Sequence, residues 1–210
     1  MKSPYNHSDY YTEPLPRDFY AYSAPAAAQR LIGCILYRQL EDGRTASGRI
    51  VETEAYTQDD PACHAFNRRT RRCEALYGAG GHAYVYFTYG VHFCFNVVCG
   101  SEGWAEGVLI RAVEPLTGLE MMAKNRGIDT FEIQTVRKKR LLCSGPGKIC
   151  QAMQIDGAIN GHDLTTGCHL WISRRHDDNI KILSGVRVGI SKAKDREWRF
   201  MLEGSTFISK

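Results

Sequence analysis

A strand-like stretch that carries two glutamates, residues 48–56, most constrains what this chain can form. It reads Gly-Arg-Ile-Val-Glu-Thr-Glu-Ala-Tyr, is rich in β-branched residues and has no Gly or Pro after its first position, which predicts a β-strand. Side chains alternate along a strand, so Ile50, Glu52, Glu54 and Tyr56 are expected to share one face. Because a buried carboxylate needs partners, this face is either a solvated surface or part of a functional site.

Length and composition indicate one globular domain. The chain has 210 residues, of which 43% are hydrophobic and 24% charged, as expected for a single substantial core. No apolar run reaches the roughly 18 residues of a membrane span, and residues 1–22 lack the apolar core of a signal peptide. We expect a loosely ordered arm over residues 1–22, a single domain over residues 23–210, and no membrane association.

The eight cysteines show no CxxC pair and no regular Cys/His spacing. Several of them, such as Cys34, Cys94 and Cys99, lie within apolar runs. This pattern favours buried, reduced thiols in an intracellular protein over a disulfide framework or a metal cluster. The expected location is the cytoplasm or nucleoid of a bacterium, or the nucleus of a eukaryote.

Positive charge is concentrated in two clusters, although the net charge is only +4. The clusters are Arg68, Arg69, Arg71 and Arg72, and Arg137, Lys138, Lys139 and Arg140. Such runs suit the phosphate backbone of a nucleic acid. A solubilising surface would show the same pattern, so both interpretations stay open on charge alone.

Residues 144–148, which read Ser-Gly-Pro-Gly-Lys, precede a predicted helix over residues 149–153. Backbone N–H groups at the start of a helix can bind a phosphate, but the spacing is not that of a Walker P-loop. By itself the segment is only a helix start. The residues predicted to contact DNA phosphates are Arg71, Arg72, Ser144, Gly147 and Lys148.

Residues 83–98 contain two β-prone runs that flank Tyr89-Gly90, which predicts a hairpin with Tyr89 at its tip. Most large aromatic residues are packed in a core. A tyrosine beside a glycine at a turn, after an arginine-rich segment, also fits a side chain that wedges into DNA.

Polar side chains are expected on both strands of this hairpin. Tyr84 and Tyr86 share a face, as do His92, Cys94 and Asn96. Asn96 lies in an apolar run and needs hydrogen-bond partners. It is either a core amide that bonds neighbouring backbone or a reader of the polar edge of a ligand.

Other elements follow from local signals. Arg111 interrupts an apolar strand and is expected to pair with a glutamate of residues 48–56. Thr117 and Glu120 match a capping box at the start of a helix. Further predictions are a helix over residues 26–32 and strands over residues 34–39, 108–115, 169–173, 180–190 and 198–202.

The residues alone leave three functional classes open. The first is an enzyme that needs no metal and has its site at Glu54 and Tyr56, together with His64 and Arg111. The second is a metal-dependent nuclease in which Glu52, Glu54, Asp59 and Asp60 bind Mg²⁺. The third is a non-catalytic nucleic-acid-binding module built on the basic clusters and exposed tyrosines.

Several segments, in the same order and nearly the same spacing, resemble the alkyladenine (3-methyladenine) DNA glycosylases. The segments are residues 51–56 (Val-Glu-Thr-Glu-Ala-Tyr), His64, residues 84–86 with Tyr89-Gly90, Asn96, residues 109–112 (Leu-Ile-Arg-Ala), residues 142–148 and residues 187–189 (Arg-Val-Gly). The resemblance extends from about residue 19 to the C-terminus. It implies a single α+β domain with a curved, mostly antiparallel sheet and flanking helices.

The resemblance also implies a role for each matching residue. Glu54 corresponds to the general base that holds the attacking water, while Arg111 and the backbone carbonyl of Val188 correspond to groups that position it. Tyr56, His64 and Tyr86 correspond to the pocket around a flipped base. Asn96 corresponds to the amide that rejects the 2-amino group of guanine, and Tyr89 to the intercalating side chain.

The implied substrate is double-stranded DNA that contains damaged purines, namely 3-methyladenine and 7-methylguanine, with hypoxanthine and ethenoadenine as further candidates. The implied enzyme is a monomer that needs no metal, no other cofactor and no Schiff-base lysine. Three positions depart from the family pattern: Cys73 replaces a common Asn, and Val91 and His92 are smaller than the residues often found there.

Overall fold

The computed structural model describes residues 12–88 and 90–209. The strands are β1 (Ile35–Gln39), β2 (Thr45–Thr57), β3 (Ala83–Thr88), β4 (His92–Val98), β5 (Glu106–Thr117), β6 (Leu170–Ser173), β7 (Ile182–Gly185) and β8 (Arg199–Leu202). The α-helices are α1 (Ala24–Leu31), α2 (Leu119–Asn125), α3 (Val136–Cys143) and α4 (Pro146–Ala152). Short 3₁₀ turns cover Arg17–Tyr20, Arg71–Tyr77, Thr130–Gln134 and Gly157–Ile159.

The strand with the two glutamates, β2, is the centre of an antiparallel sheet. It pairs with β5 along most of its length, with β1 near its start and with β8 near its end. The sheet order is β3-β4-β5-β2-β1-β6, and β8 connects β2 to β7. Helices flank this sheet, so the expected α+β fold with a curved, mostly antiparallel sheet is confirmed.

Two bulges interrupt the pairing of β2 with β5 beside the glutamates. The first bulge is at Val51, which has no partner because the register passes from Ile50↔Val113 to Glu52↔Ala112. The second is at Arg111, which has no partner because the next pair is Thr53↔Ile110. A bulge turns the following side chains to the opposite face. Ile50 therefore packs in the main core, and the prediction that it shares a face with Glu52 is wrong.

The main core lies between the sheet and its helices. α1 packs on β2 through alanines such as Ala27 and Ala28, which are fully buried. Thr53 Oγ1 donates to the carbonyl of Ala28 at 2.9 Å and so fixes α1 to the strand. A second, smaller cluster around Tyr84 and Leu76 supports the hairpin from the other side.

Residues 12–22 pack against the sheet, so the expectation of a loosely ordered arm does not hold for them. Leu15 and Tyr20 are buried in the core. The backbone N–H of Leu15 donates to Ile172 O, and the indole N–H of Trp171 donates to Thr12 O, both at 2.8 Å. Two buried side chains, one backbone hydrogen bond and one hydrogen bond from the Trp171 side chain therefore hold this segment. Residues 1–11 lie outside the described ranges.

The hairpin of β3 and β4 is confirmed by its register, from Ala83↔Val97 to Thr88↔His92. The prediction of a capping box at Thr117 is wrong. Gly118, with φ of 71°, is the N-cap of α2 and makes no side-chain cap. The hydroxyl of Thr117 lies 2.8 Å from the hydroxyl of Ser47 across the sheet and is used there instead.

Element boundaries account for the other differences. The helix after residue 145 begins at Pro146, earlier than predicted, and the strand expected over residues 180–190 is limited to β7. None of the helices in residues 12–88 and 90–209 is long and apolar enough to cross a membrane.

Gly48 provides a test of how tightly β2 and β5 pack. A Cβ at this position would overlap Val113 Cγ1 and lie 2.8 Å from Glu114 O. Gly48→Ala should therefore lower the free energy of unfolding by about 1–3 kcal/mol through overpacking, measured by urea denaturation. Gly157→Ala is the control, because its Cβ would meet Phe93 Cε1 at an ordinary 3.7 Å. Equal denaturation midpoints for both variants would contradict this packing.

Candidate active site

One face of the β3–β4 hairpin forms the floor of a pocket. Alternation along the two strands and their register bring three cross-strand pairs to this face. The pairs are Tyr84 with Asn96, Tyr86 with Cys94, and Thr88 with His92, and all six residues line the pocket. The predicted sharing of faces within each strand is confirmed.

Other elements complete the pocket walls. Its volume is about 410 Å³, within the range of ligand sites. β5 contributes Gly107, Leu109 and Arg111, whose spacing of two places them on one face. The remaining lining residues include Tyr56 of β2, residues 61–64, Pro146 and the loop of residues 188–192.

Aromatic rings cover one side of the pocket. The His64 and Tyr86 rings meet edge to face with centroids 4.4 Å apart, and Tyr84 lies 5.3 Å from Tyr86. His64 Nδ1 is 2.9 Å from the hydroxyl of Tyr84. The guanidinium of Arg72 lies 5.4 Å from the Tyr86 ring centroid. These contacts hold His64 and Tyr86 side by side on the pocket wall.

Glu54 lies buried behind this wall and accepts three hydrogen bonds. Its Oε1 accepts the backbone N–H of Val188 at 2.7 Å. Its Oε2 accepts the Tyr56 hydroxyl at 2.8 Å and Arg111 Nη1 at 3.2 Å. A carboxylate has about four acceptor positions, and Oε1 accepts one donor from the residues that the structure describes, so it retains capacity for another. All three partners of Glu54 line the pocket.

Glu52 is the second buried carboxylate and binds two arginines. Its Oε1 accepts Arg111 Nε at 3.2 Å and Arg199 Nε at 2.6 Å. Ser209 donates both its backbone N–H and its hydroxyl to Glu52. Although burial disfavours the cation, Glu54 and Glu52 raise the pKa of Arg111. The predicted pairing of Arg111 with the glutamates is confirmed.

A buried ion pair fixes Tyr56 and the loop that carries Val188. Arg187 contacts both carboxylate oxygens of Asp60, and its Nη1 also donates to Ala55 O at 2.8 Å. Both side chains of this pair are fully buried. The guanidinium of Arg187 lies 4.7 Å from the Tyr56 ring centroid, which is cation–π range.

Three aromatic residues of the pocket, Tyr56, His64 and Tyr86, are held in their neutral forms. Burial, followed by the charge of Glu54, raises the pKa of Tyr56 far above its ordinary value. Burial likewise raises the pKa of Tyr86. His64 is open to the pocket, yet surrounding protein and then Arg72 lower the pKa of its imidazole. Neutral rings of this kind can stack on a flat ligand without charge repulsion.

Comparison with known proteins identifies the family. A model of the methylpurine-DNA glycosylase family matches residues 18–206. A Carboxydothermus hydrogenoformans protein named "Putative 3-methyladenine DNA glycosylase" is 45% identical over 199 residues, 93% of this chain and 98% of the relative. Relatives of the same name from Agrobacterium fabrum and Nitrosospira multiformis are 47% and 46% identical, over 93% and 92% of this chain and 92% of each relative.

The chain belongs to the methylpurine-DNA glycosylase family. It is a DNA glycosylase of base excision repair, and its substrate is DNA. The pocket of this methylpurine-DNA glycosylase brings together Tyr56, His64, Tyr86, Asn96, Arg111 and Val188, with Glu54 directly behind them.

The predicted phosphate-contacting residues of this glycosylase lie in different environments. Arg71 and Arg72 are exposed, and Arg72 donates to Phe87 O at 3.2 Å. The hydroxyl of Ser144 donates to Arg140 O at 2.5 Å. Gly147 packs against the His92 ring so closely that a Cβ would lie 2.6 Å from it. Contact with phosphate stays a prediction for these residues and for Lys148.

The structure describes Asn96 but not Tyr89. Asn96 Nδ2 donates to Tyr84 O at 3.2 Å, so one amide hydrogen is bound to backbone while the side chain lines the pocket. The backbone hydrogen bond matches the first predicted alternative, and the reading of a ligand's polar edge stays a prediction. Tyr89, the predicted wedge, lies outside the described residues, although its neighbours Thr88 and His92 stand at the pocket.

The nuclease alternative receives no support from the carboxylates it requires. Both oxygens of Asp60 accept hydrogen bonds from Arg187. Glu52 Oε1 accepts hydrogen bonds from Arg111 and Arg199, and Ser209 donates to both oxygens of Glu52. Asp59 lies beside the Thr57 hydroxyl. Among residues 12–88 and 90–209, no three His, Cys, Asp or Glu side chains are grouped to hold a metal ion.

Sequence reasoning missed four residues of this site. Asp60 is bound by Arg187, and Glu52 is bound by Arg199 and Ser209. Lys192 lines the pocket. Arg187 stands in a family motif, next to Val188, but nothing in the local pattern indicates its partner Asp60.

The Asp60–Arg187 pair predicts a clear effect on stability. Asp60→Asn leaves a buried guanidinium without its counter-charge, which should cost about 3–5 kcal/mol of unfolding free energy, visible as a lower melting temperature. Asp42→Asn is the control, since the Asp42–Arg44 pair is half exposed and should change melting little. Retained melting together with loss of a Mg²⁺-dependent nicking activity would instead assign Asp60 to a metal site.

Proposed function

We propose that the protein extrudes damaged purines from double-stranded DNA and hydrolyses the N-glycosidic bond with a water activated by Glu54. The product is an abasic site in an intact strand. The observation that carries this proposal is a buried carboxylate with an unused acceptor position directly behind an aromatic pocket of base-binding size. Family membership supplies the DNA substrate.

Base recognition follows from the aromatic wall. A base inside a duplex must leave the stack before its glycosidic bond is accessible, at a cost of a few kcal/mol. Stacking on Tyr56, His64 and Tyr86 offsets part of that cost, at about 1–3 kcal/mol per base. Cationic lesions such as 3-methyladenine and 7-methylguanine bind best to electron-rich, neutral rings, and this pocket provides neutral rings.

The chemical step follows from the charges behind the wall. Cleavage of the glycosidic bond builds positive charge on the sugar, and a nearby carboxylate stabilises that charge and accepts a proton from the attacking water. Glu54 Oε1 holds the water, while the Val188 N–H and Arg111 fix the carboxylate. We propose that the Val188 carbonyl orients the same water.

The DNA surface surrounds the pocket mouth. We propose that Tyr89 fills the gap left by the extruded base, because it directly follows Thr88 in sequence and Thr88 lines the pocket. The exposed Arg71 and Arg72, together with Ser144, Gly147 and Lys148, contact the phosphates. The protein acts as a monomer, since one chain supplies every wall of the pocket. A DNA substrate locates it in the cytoplasm or nucleoid of a bacterium or the nucleus of a eukaryote.

Glu54→Gln tests the general base. The amide keeps the shape of the carboxylate but cannot accept the proton of the water. Excision of 7-methylguanine from a duplex, measured under single turnover in EDTA, should fall by about 10²-fold or more, while duplex affinity is retained. Glu114→Gln, which removes a carboxylate of β5 that pairs with Arg49, should excise at the native rate. Near-native excision by Glu54→Gln would assign the base elsewhere.

Asn96→Ser tests purine discrimination. If the amide clashes with the 2-amino group of guanine, the smaller side chain should raise the rate of guanine excision relative to hypoxanthine. Thr88→Ala enlarges the same pocket at its mouth and should leave that ratio unchanged. An unchanged ratio in Asn96→Ser would mean that the bond from Asn96 to Tyr84 O is its whole role.

A further inference from the structure

The C-terminal end of the chain returns to the active site from behind. Phe207 packs with Val51 of β2 and Ala112 of β5 in a small apolar cluster. This anchor places Ser209 beside the two bulges, where it is buried. Ser209 does not line the pocket, and its described contacts are to Glu52, Arg111 and Arg199.

Ser209 connects the two charged groups behind the pocket. Its backbone N–H donates to Glu52 Oε2 at 2.6 Å, and its hydroxyl donates to Glu52 Oε1 at 2.9 Å. The same hydroxyl accepts Arg111 Nη2 at 3.2 Å. One serine thus holds the carboxylate and the guanidinium at a fixed separation.

The arrangement determines the orientation of Arg111. Three of its nitrogens have different partners: Nε binds Glu52, Nη1 binds Glu54 and Nη2 binds Ser209. Arg111 is also the residue that the β5 bulge leaves out of register, so the strand pairing alone does not fix its side chain. A planar guanidinium held at two corners can present its third corner to Glu54 in only one way.

We propose that Ser209 is a positioning residue for excision: through Glu52 and its own hydroxyl, it fixes the guanidinium of Arg111 against Glu54. This inference rests on the proposed role of Glu54. Without the hydroxyl, Arg111 Nη2 loses a partner and the guanidinium can rotate away from Glu54. The fold keeps the Phe207 anchor and the bond from the Ser209 N–H to Glu52.

The test compares Ser209→Ala with Ser173→Ala in single-turnover excision of 7-methylguanine. Ser173 is the matched control, because it is buried and its hydroxyl has no hydrogen-bond partner within the described part of the chain. Ser209→Ala should slow excision by about tenfold, within the roughly 10²-fold that misplaced catalytic groups can cost, with duplex affinity unchanged and a lower melting temperature, because Glu52 and Arg111 each lose a hydrogen bond. Ser173→Ala should match the native protein in all three.

Two further comparisons separate positioning from packing. Ser209→Thr keeps the hydroxyl, whereas Ser209→Val has the same shape as Thr without it. The Thr variant should therefore excise about tenfold faster than the Val variant. This comparison can be made even if Ser209→Ala does not fold. In an Arg111→Lys background, which lacks the guanidinium, Ser209→Ala should cause no additional loss. Equal excision rates for Ser209→Thr and Ser209→Val would overturn the proposal. So would a further tenfold loss of the excision rate when Ser209→Ala is added to Arg111→Lys.

Failure of this inference is distinguishable from failure of the proposed function. If Glu54→Gln is inactive and Ser209→Ala excises at the native rate, only the positioning role is wrong. If Glu54→Gln excises normally, the assignment of Glu54 fails, and any loss in Ser209→Ala then has a different cause. A tenfold loss in Ser209→Ala together with an inactive Glu54→Gln supports both.

Discussion

The structure depends on the burial of two carboxylates on one central strand. Moving a carboxylate out of water costs several kcal/mol unless charges and hydrogen bonds replace its hydration. Arg111 supplies charge to both Glu54 and Glu52, and Arg199 supplies more to Glu52. The donors come from a neighbouring strand, from β8, from a loop and from the C-terminal end. The charged site is therefore complete only when β5 and β8 have paired with β2 and the loop of Val188 and the segment of Ser209 have packed against them.

The same constraint explains why the sheet is irregular at this point. A regular ladder would place the residues of β2 and β5 opposite each other and leave Arg111 in register. The bulges at Val51 and Arg111 instead turn polar side chains toward the pocket while Ile50 and Ala55 stay in the core. Bulges next to active sites commonly re-aim side chains in this way. The pocket then needs only the hairpin face and the loop of residues 188–192 to close it.

Alternation along strands was sufficient to predict the parts of the site that lie on regular strands. It placed Glu54 beside Tyr56 and gathered the polar residues of the hairpin on one face. Alternation gave the wrong face for Ile50, because no local sequence pattern identifies the β-bulge at Val51. It also missed Arg187, which is 127 residues from Asp60, and Ser209, which is 157 residues from Glu52. Such pairings depend on tertiary folding, and no local pattern encodes them.

A crystal structure of the Glu54→Gln protein bound to a duplex that contains ethenoadenine would test the role of Glu54 most directly. If Glu54 holds the attacking water, the lesion should lie in the pocket against Tyr56, His64 and Tyr86, with a water about 3 Å from both the side chain at position 54 and C1′ of the sugar. A lesion that stays stacked in the duplex, or a flipped base whose C1′ lies beyond the reach of a water held at position 54, would contradict it.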